Sequence, residues 1–317
     1  RKAQKMRILI SGAAGFIGSE VMREAAKRGH DVIGFDSFDS TLYPSETKKR
    51  RAASLEDEGL QVVTVDASEP EQIELLPDCD VFINEMAIPG LVPSWSKISR
   101  YMDANVTAFG NVLNKWSQSE AKPFIVHAST SSVYGEKRHG QQASLNPISP
   151  YGVSKLAAEK LLQAYSRQFG FEYSILRYFS VYGKEQRPDM AYAKFIEAAL
   201  QNREITIFGD GNQLRTNTHV SDVAEATILA AEKMIHALVC DISGDETVRL
   251  VDAIEQISSI TGQELLSNFE KGSPGDQSVS QGDNSLAKEK LDWVVRTNFE
   301  KGISEQIKIS SEKASHD

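Results

Sequence analysis

The sequence predicts a doubly wound α/β protein: a mostly parallel sheet with helices on both faces, followed by a smaller α/β lobe. Three observations predict it. Short apolar runs of strand type alternate with helical patterns from residue 7 to residue 177. The first unit places a glycine-rich turn, Gly12-Ala13-Ala14-Gly15-Phe16-Ile17-Gly18, between its strand and its helix. The next strand closes on an acid, Asp36, at roughly the 20-residue spacing that such units need.

Taken in order, Arg7-Ile8-Leu9-Ile10-Ser11 reads as a strand, and the helical pattern after the glycine turn runs to Lys27, with Gly29 ending it. Asp31-Val32-Ile33-Gly34-Phe35 is the second strand. Further strands are expected at 61–65, running into Asp66, and at 80–84, 124–128 and 173–177, with helices over 99–116 and 151–168. Residues 1–177 therefore read as a Rossmann dinucleotide-binding domain. Glycine lets the backbone turn sharply and approach a pyrophosphate seated on a helix N-terminus. Gly12, Gly15, Phe16, Ile17 and Gly18 are the expected cradle, with Asp66 beside it. Asp36 is placed to accept from the adenosine ribose hydroxyls; a carboxylate there repels a 2′-phosphate, so the expected cofactor is NAD.

Beyond 177 the alternation loosens. A helix is expected over 189–201, a strand at 204–208 entering the turn Gly209-Asp210-Gly211-Asn212, a helix over 222–233, a strand at Leu238–Ile242 and a loop at 272–276. Residues 178–309 read mainly as a substrate-binding lobe, with part of 216–242 returning to the first domain. The polar stretch 310–317 is expected to fray.

Composition narrows the function. Of 317 residues, 40% are hydrophobic and 25% charged, as in ordinary soluble proteins, and a net charge of -9 argues against nucleic-acid binding. The basic run Lys48-Lys49-Arg50-Arg51 reads as a solvated loop or helix face. Two distant cysteines, Cys79 and Cys240, make no metal or redox motif, so no metal is expected and the thiols suit the cytoplasm. The apolar stretch near the start is short and broken by Arg7, so neither a signal peptide nor a membrane span is expected there.

The chemistry centres on Tyr151 and Lys155, four residues apart and hence on one face of the 151–168 helix. A phenol of pKa ~10 is a poor base, and a nearby cation lowers it by roughly 1–3 units. The resulting tyrosinate can take a proton from a substrate alcohol while hydride leaves its carbon. The pair alone also fits a plain amphipathic surface; the dinucleotide half of the chain is what favours catalysis. The cluster 129–132 begins just past a strand, where ligands sit in such sheets, so it is expected at the nicotinamide end.

With the glycine turn, Asp36, Asp66, the 129–135 segment, Tyr151/Lys155, Arg177-Tyr178-Phe179-Ser180-Val181-Tyr182-Gly183, Gln186-Arg187-Pro188-Asp189 and the segment 208–215 in hand, the chain resembles the extended short-chain dehydrogenases. Within them it is most similar to NAD-dependent nucleotide-sugar epimerases, above all the UDP-glucuronate 4-epimerases, through 88–95, 129–135 and Ser180 with Arg187. The resemblance implies hydride removal from the sugar C4 and its return to the other face of a 4-keto intermediate. It implies Tyr151 as base, Thr130 bonded to the reacting oxygen, and Ser131, Ser132, Ser180 and Arg187 around a C6 carboxylate. Gln213, Arg215 and Asp276 are implied on the nucleotide side, and a homodimer through helices near 99–116 and 151–168. Asp222 resembles a family acid at a helix start, and equally fits a plain N-cap. Dehydratases of this type carry acids where Ser131-Ser132 stand, so elimination lacks its catalyst here.

Four places depart from the pattern: Asn84-Glu85-Met86-Ala87 replaces a His-Leu-Ala-Ala type segment, Val92 an Arg, Thr216-Asn217 an Asp-Phe, and Ser278 a basic residue. UDP-glucose 4-epimerisation, another NAD-linked nucleotide-sugar oxidoreductase and a dinucleotide-binding regulatory protein therefore stay open as alternatives.

Overall fold

The alternation is present in the computed structural model, which describes residues 4–136, 144–272 and 275–314. Strand β1 (Arg7–Ser11) leads into α1 (Phe16–Lys27), β2 (Asp31–Asp36), α2 (Ser45–Asp57), β3 (Gln61–Thr64), the single turn α3 (Pro70–Ile73) and β4 (Val81–Asn84). Then come α4 (Leu91–Ser94), α5 (Ile98–Met102), α6 (Ala108–Ser117), β5 (Phe124–Thr130), α7 (Pro150–Phe169) and β6 (Tyr173–Tyr178). The chain continues through β7 (Val181–Tyr182), α8 (Ala191–Leu200), β8 (Ile205–Phe208), β9 (Leu214–Thr216), β10 (Thr218–His219) and α9 (Val220–Lys233). It closes with β11 (Leu238–Ile242), β12 (Thr247–Arg249), α10 (Leu250–Thr261), β13 (Ser267–Glu270), β14 (Val279–Ser280), α11 (Ser285–Leu291) and α12 (Phe299–Ala314).

Seven strands form one parallel sheet in the order β11-β6-β5-β4-β1-β2-β3. Strand order reverses between β1 and β4, which opens a crevice beyond their carboxyl ends. The glycine turn and Glu85 flank that crevice. Central strands are apolar on both faces, as a sheet covered twice requires. One core sets Ile8, Ile10, Val81 and Ile83 against Val21, Met22, Val223 and Ala224 of α1 and α9. The other sets Leu9, Phe82, Ile125 and Ile175 against Phe109, Leu113, Ala158 and Leu162 of α6 and α7. A third core, with Tyr182, Tyr192, Phe195, Ile254 and Phe299, gathers α8, α10 and α12 around the small strands.

Several expectations need correction. The 99–116 helix is α5 and α6 joined by a wider turn at Asp103–Thr107. Such bulges gather at functional sites, and here the turn inserts buried Asn105. Its side chain accepts from Ile88 N at 2.7 Å and donates to Ser154 Oγ at 3.0 Å, tying the segment after β4 to α7. The polar end does not fray at 310: α12 runs to Ala314, seated by Ile303 and Ile307, while 315–317 lie outside the described residues. Of the expected 272–276 loop, Ser273 and Pro274 also lie outside them. The basic run is a helix face only in part solvated: Lys49 and Arg50 are exposed on α2, while Arg51 turns inward, 4% exposed, to donate to Glu185 O at 2.6 Å.

Candidate active site

A cleft of about 1240 Å³, the open space at its mouth included, runs along the carboxyl ends of the strands. Its walls include Gly12, Gly15, Phe16, Ile17, Gly18, Asp36, Asp66, Ser129, Tyr151, Lys155 and Arg187. The sequence expectations for the cofactor side thus converge on one crevice.

Gly12 is in the left-handed region at φ +64, and a Cβ there would lie 2.9 Å from the carbonyl of Glu85. A Cβ on Gly18 would lie 2.2 Å from Gly12 O, so only glycine lets α1 start this close to the turn. Helix α1 has no side-chain cap and no acid in its first turn. Its first amide hydrogens, which no helix satisfies internally, face the space a pyrophosphate would fill. At the outer end Asp36, 4% exposed, accepts from Phe38 N at 2.7 Å and from Lys48 Nζ at 3.3 Å. These features fit a dinucleotide, which Gly12, Gly15, Phe16, Ile17 and Gly18 would hold at its phosphates and Asp36 at its ribose. Gly18→Ala is expected to cost about 1–3 kcal/mol through overpacking and to reduce the dinucleotide recovered with the protein, measured by thermal melting and by absorbance of the released cofactor.

Below the catalytic end lies a buried polar floor. Ser11 Oγ donates to Asn84 Oδ1 at 2.8 Å, and Asn84 Nδ2 meets His127 Nδ1 at 3.0 Å. Burial pushes His127 well below the usual imidazole range, with the Lys155 charge adding to it. The ring is therefore neutral and acts as packing, stacked on Phe109 with centroids 4.8 Å apart.

Ser149 caps α7, accepting from Gly152 N at 3.1 Å, and Pro150 occupies the first turn. That start aims Tyr151 into the cleft and puts Lys155 one turn deeper. Tyr151 is hydrogen-bonded to Thr130, and Tyr101 packs edge-on against its ring at 6.2 Å. Burial raises the Tyr151 phenol; the Thr130 bond and the Arg187 charge pull it back. Lys155 Nζ donates to Ala128 O at 2.7 Å, and burial lowers its pKa to about 8 against the pull of Glu85 and Glu159. Arg187, held by Asp189 through two bonds of 3.0 and 2.9 Å, is a cation that draws the Tyr151 phenol down. Sequence spacing could not reveal it, because strand β6 and the turn after β7 bring 187 to 151.

The remaining expected residues form a second ring. Ser131 and Ser132 are buried in the short turn after β5, with Thr130 Oγ1 donating to Ser132 Oγ at 3.3 Å. Ser180 follows β6 at φ 32. None of these three is among the cleft walls above. Arg215 donates to Asp276 at 2.7 Å, and Gln213 Nε2 donates to Phe208 O, so Gln213, Arg215 and Asp276 collect on the small sheet β12-β9-β14. Ser278, in place of a basic residue, donates through N and Oγ to Glu136 at 2.8 and 2.9 Å. Asp222 is not the cap of α9; His219 is, while Asp222 accepts from Thr297 N at 3.0 Å and anchors the approach to α12. Lys48 and Glu85 were missed as wall residues. The three-residue spacing of Lys48 and Arg51 is the signal that would have shown α2 to have an inward face.

Among the described residues no cluster suits a metal ion, and no helix is long and apolar enough to cross a membrane.

Residues 8–239 match the NAD dependent epimerase/dehydratase family. A Bacillus subtilis protein named as an uncharacterised UDP-glucose epimerase, YtcB, is 36% identical over 308 residues, covering 95% of this chain and 97% of its own. The UDP-glucuronate 4-epimerase of Thermodesulfobacterium geofontis is 29% identical over 311 residues, or 96% of each chain. The crystal structure of the Bacillus cereus UDP-glucuronic acid 4-epimerase in complex with UDP-glucuronic acid and NAD matches with a TM-score of 0.92 at 35% identity, covering 97% of this chain and 100% of that one. A UDP-glucose 4-epimerase from Thermotoga maritima, crystallised with UDP-glucose, matches at 0.87 and 28% identity, covering 98% and 100%. Cleft, glycine turn and matched segment agree: this chain belongs to the NAD dependent epimerase/dehydratase family.

Proposed function

We propose that this protein interconverts UDP-glucuronate and UDP-galacturonate by NAD-dependent epimerisation at C4. The observation that carries the reading is the meeting of Tyr151, its Thr130 partner and Arg187 at one end of a dinucleotide cleft. The bound nicotinamide supplies a reversible hydride acceptor. Tyr151 takes the 4-OH proton, and the Arg187 charge keeps the phenol available in its deprotonated form before that transfer. Thr130 bonds the oxygen that becomes the ketone. Lys155, fixed on Ala128 O, positions the cofactor beside Tyr151. The proton held on Tyr151 returns to the oxygen once the ketone has turned over, so no net oxidation occurs.

The uronate preference rests on the Arg187 guanidinium at the sugar end and on hydroxyls, not acids, at 131 and 132. The 4-keto uronate is a β-keto acid and loses CO₂ when its carboxylate bond stands perpendicular to the carbonyl. Arg187, on the cleft wall, reaches that carboxylate directly; Ser131, Ser132 and Ser180 lie behind the wall and hold it in a safer orientation only on turning toward it, each charge-assisted bond then contributing about 1.5–3 kcal/mol. Gln213, Arg215 and Asp276 take the nucleotide, with Arg215 sharing its fork between Asp276 and the diphosphate. Incubation with UDP-glucuronate is expected to yield UDP-galacturonate. Conversion of UDP-glucose with no action on UDP-glucuronate would replace this reading by UDP-glucose 4-epimerisation. In Arg187→Gln, the kcat/KM for the uronate is expected to fall about 10-fold or more.

The same reading makes the protein a cytoplasmic homodimer that pairs α5–α6 with α7 across a twofold axis. Exposed Ile98 and Val153 on those helices and two free cysteines support it. Light scattering on the purified protein tests the dimer.

A further inference from the structure

Glu85 follows β4 directly, in the segment Asn84-Glu85-Met86-Ala87. Its Oε1 accepts from Tyr178 Oη at 2.6 Å, and the same hydroxyl lies 2.7 Å from Thr227 Oγ1. Glu85 lines the cleft with Met86, Ala128, Tyr151 and Lys155, while its own carbonyl closes on Gly12. It therefore lies between the phosphate cradle and the Tyr151 end, the span that a nicotinamide ring must occupy. The groups facing it are Tyr178 from β6 and Lys155 from α7, with Cys240 of β11 and Thr227 of α9 against Tyr178 behind it. Lys155 is the charged one. Burial pushes the Glu85 carboxyl up to about 7, with the Tyr178 bond and the Lys155 charge drawing it down.

The geometry points to Glu85 as the residue that sets the redox bias of the bound nicotinamide, its carboxylate favouring the oxidised ring over the reduced one. The inference rests on the epimerase reading above. In the first half-reaction the sugar C4–H bond breaks and hydrogen with both electrons leaves as hydride. The hydroxyl proton goes to Tyr151, C4=O forms, and the ring charge falls from positive to neutral. A neighbouring carboxylate stabilises the state before transfer more than the state after it. An enzyme that must return its hydride gains from this bias. Reduced cofactor left behind by an escaped ketone stalls the site, and Glu85 keeps that population small. The oxidised ring in turn holds Glu85 ionised, so reduction is coupled to proton uptake at Glu85 near neutral pH.

The test compares purified holoprotein of wild type, Glu85→Gln and Glu85→Leu, the last an apolar side chain of similar length. The ratio of reduced to oxidised bound cofactor is read from the nicotinamide absorbance after equilibration with a redox couple of known potential. Both variants are expected to raise the reduced fraction about 10-fold at neutral pH and above. The difference from wild type should fade as pH falls below about 7, where the carboxyl is protonated. Tyr178→Phe, which removes the bond that steadies the carboxylate, is expected to shift the ratio the same way by less. Variants that keep the wild-type cofactor content and circular dichroism yet show an unchanged ratio overturn the inference while leaving the epimerase reading intact. A wild-type protein that carries no dinucleotide overturns both.

Discussion

Tyr151→Phe is expected to lower the epimerisation rate by about 10²–10⁴-fold, leaving fold and bound dinucleotide intact. The substitution removes one hydroxyl whose protein partner is Thr130 and keeps the ring that Tyr101 packs against. Substrate affinity should change little, because the phenol acts on the reacting proton and not on the nucleotide. The loss should therefore fall on kcat, measured by chromatographic separation of the two UDP-uronates under saturating substrate. The pH profile gives a second readout. Burial raises the Tyr151 phenol and Arg187 draws it back, so wild-type kcat/KM should climb with pH toward that ionisation. In Arg187→Gln the climb should move to higher pH. A Tyr151→Phe protein with more than a tenth of wild-type turnover would remove Tyr151 as the base.

Glu159→Gln is expected to destabilise the protein by about 3–5 kcal/mol, the cost of stranding a buried charge. Glu159 is fully buried on the Lys155 face of α7. It accepts from Arg177 Nε and Nη2 at 2.9 and 2.7 Å and from Ser129 Oγ at 2.5 Å. Burial opposes the Arg177 charge, yet the bonds to Glu159 and Tyr134 hold its pKa above the ordinary guanidinium value. Tyr134 Oη passes the chain on to Asp241 at 2.6 Å, so the network joins α7, β5, β6 and β11. The amide cannot neutralise Arg177, and urea unfolding should show a lower midpoint with an unchanged slope. Replacing both partners, Glu159→Leu with Arg177→Met, is expected to recover a large part of the loss. A single variant within about 1 kcal/mol of wild type would show that the pair contributes nothing to stability.

The cofactor half was legible because its determinants are local. Gly12 and Gly18 announce close backbone approaches, Asp36 closes a strand at a fixed spacing, and Ser149-Pro150 starts a helix that sets Tyr151 and Lys155 on one face. The apolar runs of β1, β4 and β5 follow from burial on both faces of a covered sheet. Where the reading slipped, a distant partner had decided the outcome. Nothing in Lys48-Lys49-Arg50-Arg51 tells which residue meets Asp36 and which meets Glu185. Polar residues 310–314 look like a tail until the third core is seen beneath α12.

By itself, then, the sequence determined the dinucleotide turn, the parallel sheet and the Tyr–Lys pair, since backbone geometry and helical period act over a few residues. Tertiary structure alone decided which charges share the buried site. Strand order, not sequence separation, brings Arg187 to Tyr151, Glu85 to Tyr178 and Glu159 to Arg177. An ionisation constant in the interior depends on burial and on such neighbours, and both exist only once the strands have found their order.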